Sequence, residues 1–419
     1  MIFFVISIAL TGSRMPTNRS VHSDASNLPK YGCIAHPQTD PNRLRAKVAQ
    51  MKRIRILIAS LAFGMPANTP LQADEPTKPV YRIVPKIGAK ETTAIALNAK
   101  GDLLCYRWAE ENGNTDVLEQ APLLLKADSG KSIRIPLLKG YTATMPASVS
   151  DSGVVVGRSS RPPVDNAGRR VPLSGVAFVW DEHSGIRSIG ALPGDTMSQA
   201  DSISADGSRI SGISIGPDRI RACVWERSGE NWEMKPLPQA TNRLNSQKAV
   251  MSRSGKYVAS FEDRKPTLWT REDDGSWRRE TIGATDSLIP RAVNDNAVVA
   301  GYRINADALS TKDAVIWNRE SGVKVLERPK GYLYAELNAI NNRNVAVGFA
   351  DGPHGSSIGP NACVSEGGRL LIFDAEPEFS SATAINDQGQ AAGTFEEKEA
   401  IDADPENDAP QSGRVAPKR

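Results

Sequence analysis

Val149-Ser150-Asp151-Ser152-Gly153-Val154-Val155-Val156-Gly157 is the stretch whose reading decides the fold. Two apolar runs flank Ser-Asp-Ser-Gly, the pattern of two short strands joined by a tight turn. The leading Ser can hydrogen-bond the backbone of the turn it opens. Gly153 then takes the φ > 0 position that closes a type I turn with a bulge. The same opening (a small residue, an apolar residue, then Asn or Ser) recurs at Ala96-Leu97-Asn98, Ser202-Ile203-Ser204, Val250-Met251-Ser252, Ala292-Val293-Asn294, Ala339-Ile340-Asn341 and Ala384-Ile385-Asn386. The glycine slot holds Gly101, Gly207, Gly255 and Gly389, with Asn344 in the sixth copy, and Asn tolerates φ > 0 better than other residues with a Cβ. Ala297 in the fifth copy is the exception. It is expected to be strained there, and Ala297→Gly is expected to stabilise the chain.

A second signal follows the hairpins. Gly175-Val-Ala-Phe-Val-Trp180, Arg221-Ala-Cys-Val-Trp225, Pro266-Thr-Leu-Trp269 and Asp313-Ala-Val-Ile-Trp317 are equivalent strands ending in Trp, whereas Asn361-Ala-Cys-Val-Ser365 ends in Ser. A Gly-containing turn and a fourth apolar segment come next. Hairpin, Trp strand and outer strand make four antiparallel strands per repeat, and the seven repeats are 42 to 54 residues apart. That spacing suits propeller blades and is too long for a β-helix coil. One blade cannot bury both faces, so it must stack on its neighbours. The predicted fold is therefore an all-β propeller over residues 79–396, with seven blades favoured over six plus an appendage. The seventh copy lacks its own third and fourth strands, and the orphan strand Val80–Pro85 is expected to close it. Residues 397–419 are acidic and Pro-rich without apolar period, and are expected to be disordered.

The run from Gly175 through Trp180, Gly185 and Leu192-Pro193-Gly194 to the hairpin Ile203-Ser204-Ala205-Asp206-Gly207 resembles the bacterial extracellular HAF-repeat proteins. The rhythm extends over most of residues 80–395, but the match is close only around the second and third blades. Val176 stands where that family carries its histidine, and the Leu-Pro-Gly turn occurs once. The resemblance implies export and a repeated β fold; it implies no reaction and no site residues.

Export is also expected from the residues themselves. Met51-Lys-Arg-Ile-Arg, an apolar run over Ile56–Met65 and small residues ending at Ala73 have the order of a signal peptide, with cleavage expected between Ala73 and Asp74. That places the protein in the periplasm or outside the cell, with no span of the membrane in the mature form. Residues 1–50 are then expected to lie upstream of the true start, or else to be a disordered leader. The first 73 residues hold nine Lys and Arg against two Asp and Glu, which leaves 42 basic and 46 acidic residues and a net charge of −4. A nucleic-acid partner is not supported by that balance. Cys105, Cys223 and Cys363 are widely scattered and read as buried apolar fillers rather than a disulfide framework.

Chemistry is sparse. Ser214 and Ser357 sit in Gly-x-Ser-x-Gly matches, but a nucleophile elbow needs a strand-to-helix turn, and no helix follows either. His183 and His354 fall in turns and loops, no His or Cys pair has metal-ligand spacing, and no cofactor is expected. Asp201, Glu262, Asp263, Asp286 and Glu336 near strand ends are the candidates for a glycosidase-type carboxylate pair. Trp180, Trp225, Trp269 and Trp317 share one blade position and read as core, whereas Trp232 and Trp277 read as exposed outer-strand edges. The loop after the second hairpin carries Arg158, Arg161, Arg169 and Arg170, and the equivalent loop of the third carries Arg219 and Arg221. Arg suits bidentate capture of carboxylate or phosphate. The reading is an exported, monomeric, non-catalytic binding or scaffold module with an anionic polysaccharide or acidic protein as partner. The alternative is a carbohydrate-active propeller enzyme with carboxylates at its channel mouth.

Overall fold

The leading polar residue of each repeat closes its own turn. In the computed structural model, Asn98 Oδ1 accepts the backbone N–H of Lys100 (3.0 Å) and of Asp102 (2.8 Å). Ser150 Oγ accepts that of Val154 at 3.0 Å. The slot three residues on is left-handed in all seven copies: Gly101, Gly153, Gly207, Gly255, Ala297, Asn344 and Gly389. Ala297 has φ 59°, as the repeat requires. Its methyl is buried, however, in the core that joins the fourth and fifth blades. Relief of about 1 kcal/mol of strain is therefore offset by about 0.8 kcal/mol of lost burial and about 0.4–1 kcal/mol of added chain entropy. Contrary to the expectation from sequence, Ala297→Gly should leave the melting temperature nearly unchanged; a clear rise in a thermal melt would show that strain dominates.

The structure describes residues 54–60, 84–85, 92–111, 114–161, 174–239, 248–305, 311–353, 359–373 and 379–396. Their strands are β1 (Ile54–Ser60), β2 (Val84–Pro85), β3 (Thr92–Leu97), β4 (Leu103–Glu111), β5 (Asn114–Leu125) and β6 (Ser132–Arg134). The second blade holds β7 (Ala143–Val149), β8 (Val155–Arg161), β9 (Ser174–Asp181) and β10 (Gly185–Gly190). The third holds β11 (Met197–Ile203), β12 (Arg209–Ile215), β13 (Ile220–Ser228) and β14 (Asn231–Pro236), and the fourth β15 (Val250–Met251), β16 (Tyr257–Glu262), β17 (Lys265–Arg271) and β18 (Trp277–Thr281). The fifth holds β19 (Ile289–Val293), β20 (Val299–Asn305), β21 (Thr311–Asn318) and β22 (Gly322–Val325). The sixth holds β23 (Tyr334–Ile340), β24 (Ala346–Asp351), β25 (Asn361–Glu366) and β26 (Arg369–Ile372). Finally come β27 (Ser380–Ile385) and β28 (Gln390–Glu396).

These strands form seven four-stranded antiparallel sheets, the first being β3 to β6. The first strand of each blade meets the first strand of the next, and β27 returns to β3. The fold is an all-β propeller. Ring closure is visible as hydrogen bonds: Thr383 Oγ1 donates to the Ala94 carbonyl (3.1 Å), and Asn386 Nδ2 to that of Asn98 (3.1 Å).

The choice between Asn and Ser at the turn now has a reason. Asn can close its own turn with Oδ1 and still donate from Nδ2. Asn294 donates to the Asn341 carbonyl (2.9 Å), Asn341 to that of Asn386 (3.1 Å) and Asn98 to that of Ser150 (3.0 Å). Ser spends its hydroxyl within the turn, so the backbone crosses instead. Asp151 N–H donates to the Ala205 carbonyl (2.9 Å) and Ala205 N–H to that of Arg253 (2.7 Å). Apolar clusters fill the space between successive blades, as a stack of two-faced sheets demands.

The seventh sheet departs from expectation. Its order is β2-β1-β28-β27. The strand beside β28 is thus β1, paired Ile54↔Glu396 through Ser60↔Gln390, and Val84–Pro85 lies outside it. Among the described residues the seventh sheet thus takes in Ile54–Ser60 as well as Val84–Pro85. The run Ile-Arg-Ile-Leu-Ile-Ala-Ser is apolar and rich in β-branched residues, a composition shared by signal segments and buried strands, and periodicity cannot separate the two. Residues 1–50, the cleavage point Ala73 and Asp74, and the tail 397–419 lie outside the described residues.

Candidate functional site

Each inner strand except β15 carries one bulge, set by the register shifts Ala94/Ala96, Pro146/Ser148, Ala200/Ser202, Pro290/Ala292, Leu337/Ala339 and Ala382/Ala384. A bulge re-aims one side chain. The residues so placed are Ile95, Ala147, Asp201, Arg291, Asn338 and Thr383. Asn338 Nδ2 uses the position to bridge blades, donating to the Ala382 carbonyl at 3.0 Å. In the third and fifth blades the same position is charged.

Asp201 is 2 % exposed. It accepts the Ala249 N–H of the next blade at 2.9 Å and the Gln199 amide at 2.6 Å. Lys248, just before β15, and Arg158, on β8, both lie within electrostatic range of its carboxylate. Arg291 in turn lies within electrostatic range of the Lys248 ammonium. Burial raises the pKa of the Asp201 carboxyl above the usual carboxylate range, against the pull of Lys248, its two hydrogen bonds and Arg158. Burial likewise lowers that of the Lys248 ammonium, Asp201 opposing and Arg291 assisting. Two cations, Lys248 and Arg158, thus act on the Asp201 carboxylate, and a third, Arg291, lies within range of Lys248. The Arg158 Nε is buried without a hydrogen-bond partner among the described residues.

Several other acidic side chains near strand ends hold cations of their own. Glu262 holds Arg279 (3.1 Å), Glu336 holds Lys312 (2.8 Å), and Asp313 holds Arg303 (3.0 Å) and Arg328 (3.5 Å). Asp286 accepts from Arg264 at 2.9 Å, beside the two-residue turn in which Asp263 and Arg264 both have φ > 0. Of the carboxylates singled out from sequence, Glu262, Asp286 and Glu336 are thus paired with cations other than those around Asp201, and Asp263 lies in the turn beside Arg264.

The arginines divide. Arg219 and Arg221 both grip Asp195, at 3.2 and 2.7 Å, and its buried carboxylate is held below the usual range by those bonds and by Ser214 despite burial. They brace the Leu192-Pro-Gly-Asp195 turn rather than stand open. Arg161 donates to the Gly140 carbonyl at 2.5 Å and stacks over the Tyr141 ring at 5.0 Å. Arg158 remains on the inner set, and Arg169 and Arg170 lie outside the described residues. Lys248 and Arg291 were not legible as site residues, because nothing local marks a charge on an inner strand as facing another blade's carboxylate.

The remaining motifs are structural. Ser214 Oγ accepts the Leu192 N–H at 3.0 Å. His183 lies in a turn capped by Asp181, and Ser357 and His354 lie outside the described residues. Trp225 and Trp269 are wholly buried, and their indoles donate to the Ile189 and Pro238 carbonyls of the preceding blade, each at 2.8 Å. Trp232 and Trp277, expected as exposed edges, are instead half-buried and pack against the inter-blade cores. Cys105, Cys223 and Cys363 are buried and form no disulfide among the described residues, and burial pushes the Cys363 thiol up to about 12.

No family model matches the chain. No curated protein matches it either. Among solved structures it is similar to a protein assigned as TolB from Agrobacterium tumefaciens, at 13 % identity and TM-score 0.43, over 83 % of this chain and 99 % of that one. The propeller domain of the Trilobed protease from Pyrococcus furiosus aligns at 10 % identity and TM-score 0.46, over 74 % and 95 % of the two chains. A puromycin-hydrolyzing peptidase of Mycobacterium tuberculosis aligns at 11 % identity and TM-score 0.44, over 71 % and 45 %. Among the described residues no helix is long and apolar enough to cross a membrane.

Proposed function

We propose that the protein is an exported, non-catalytic binding propeller that takes a carboxylate-rich anionic ligand at its inner cationic set. One observation carries this reading. Arg158 and Lys248 both act on the Asp201 carboxylate and Arg291 lies within electrostatic range of Lys248, whereas Glu262 and Glu336 are each paired with one cation. The set holds an excess of positive charge in a partly desolvated place, where a ligand carboxylate gains most. Arg219 and Arg221 are set aside, since both are hydrogen-bonded to Asp195 and brace its turn.

Binding of polygalacturonate and of polyglutamate, measured by fluorescence anisotropy at low salt, tests the reading. A charge-assisted hydrogen bond contributes about 1.5–3 kcal/mol, so Arg158→Ser with Arg291→Ser should weaken binding about a hundredfold or more. The thermal melt should hold, since neither residue belongs to an apolar core cluster. Undiminished affinity in the double variant would overturn the assignment. The preferred polymer separates a polysaccharide from an acidic protein partner.

Export rests on the sequence from Met51 to Ala73. Cleavage after Ala73 would part β1 from the propeller and leave β28 to pair with the segment around Val80–Pro85. N-terminal sequencing of secreted protein should find Asp74 first, with a cooperative melt. A folded protein that keeps residues 54–60 would instead make β1 a permanent strand and refute cleavage.

A further inference from the structure

Met145 is the third residue of the inner strand β7 and is 38 % exposed. Of the other described methionines, Met251 is buried, and Met197 and Met234 are half-buried. Two donors from the neighbouring strand β8 converge on the Met145 sulfur. Arg158, its cross-strand partner, places Nη2 at 3.3 Å, and Ser160 places Oγ at 4.0 Å. The arginine is held there. A Cβ at Gly175 would lie 3.0 Å from Arg158 Cδ, so the bare glycine backbone is what lets the stem lie against β9. The guanidinium is also short of acceptors. Among the described residues no carboxylate lies within ion-pair distance of it, its Nε is buried without a partner, and the thioether sulfur is a weak acceptor.

We infer that Met145 is a site of peroxide oxidation, and that its sulfoxide engages Arg158 and so withdraws it from anion binding. The modification itself stands on the geometry at the sulfur; the withdrawal rests on the reading of Arg158 as a ligand-binding residue. A sulfur lone pair takes the proximal oxygen of hydrogen peroxide, and the O–O bond breaks. The distal oxygen leaves as water with both peroxide protons, so the thioether is oxidised and the peroxide reduced. Negative charge builds on that leaving oxygen, where a guanidinium and a hydroxyl beside the sulfur stabilise it. The product carries a polar S–O oxygen on the atom that both donors already approach. A charge-assisted hydrogen bond then replaces a weak contact to sulfur. Oxidation here gives Arg158 an acceptor, whereas at Met251 it would put a polar group into the core between the third and fourth blades.

The test treats the full chain with limiting hydrogen peroxide and follows each methionine by peptide mass. Met145 should gain an oxygen ahead of Met197, Met234 and Met251, and Arg158→Ser should slow that gain about threefold or more. Arg158→Leu, which keeps an apolar stem against Gly175 but no donor, reads the same effect should Arg158→Ser fold poorly. An unchanged or faster rate at Met145 without the guanidinium would overturn the donor-assisted site, since exposure alone would then account for the oxidation. Oxidised parent should bind labelled polyglutamate about tenfold more weakly than reduced parent. Met145→Leu should bind it equally before and after peroxide. Parent that binds as tightly with Met145 oxidised would overturn the capture of Arg158. Absence of polyglutamate binding to the reduced parent would overturn the anion site and the capture together, and the oxidation rates would still decide for or against the modification site.

Discussion

Gly348→Ala should destabilise the propeller by about 3 kcal/mol or more, the upper part of the range for overpacking a rigid site. A Cβ at Gly348 would lie 1.9 Å from the Glu336 carbonyl oxygen and 2.8 Å from Leu337 Cα. Both are backbone atoms of the neighbouring inner strand, so no rotamer change relieves the clash. The cause is the bulge between Leu337 and Ala339, which presses the inner strand onto its partner. The same geometry recurs at Gly157, Gly212, Gly301 and Gly393, each with an inner-strand carbonyl 2.0 to 2.2 Å from the would-be Cβ. The fourth blade has no bulge and carries Ala259 there, paired with Val250. The first blade has Cys105 opposite its bulge, so the backbone can yield. Yielding in the sixth blade would pull β23 away from the cores it shares with its neighbours. A thermal melt should show a fall of several degrees for Gly348→Ala, whereas Ala259→Gly should stay within about 1 kcal/mol. A melt unchanged by Gly348→Ala would mean that the bulge is not held by the glycine.

Trp225→Ala should cost about 3–5 kcal/mol, the range for emptying a buried aromatic site. The side chain is wholly buried in the core between the second and third blades. Its indole N–H also ties β13 to the Ile189 carbonyl on β10, the outer strand of the preceding blade. Trp225→Phe keeps most of the apolar area but strands that carbonyl, at a cost of about 1–3 kcal/mol. The order parent, Phe, Ala in denaturant midpoint checks both contributions; equal losses for Phe and Ala would place the whole effect in the hydrogen bond. The sixth blade does without this tie. Ser365 Oγ there accepts the N–H of Ala346 inside its own sheet, at 2.9 Å. Ser365→Ala should accordingly cost far less than Trp225→Ala.

Local constraint made the blades readable. A turn that needs φ > 0 restricts its residue wherever the rest of the chain goes, so all seven slots from Gly101 to Gly389 could be placed from sequence, Ala297 and Asn344 included. Period-two alternation and the recurring Trp position likewise depend on neighbours within a few residues, and they carried the fold class. The bulge-facing glycines were visible only as the end of an apolar run. Their reason, a carbonyl from another strand, is not local.

Contacts between distant parts of the chain decided everything else. Asp201 comes within range of Arg158 and Lys248, and Lys248 within range of Arg291, because the ring brings four blades together. Arg219 and Arg221, equal candidates in sequence, are silenced by Asp195, about 25 residues earlier. The strand beside β28 is supplied by residues more than 300 positions away, and an apolar run such as Ile54–Ser60 carries no mark of which edge it will pair with. Backbone geometry and amphipathic period are properties of a segment and were determined by sequence alone. Charge neutralisation and strand partnership are properties of proximity, and only the tertiary structure settles proximity.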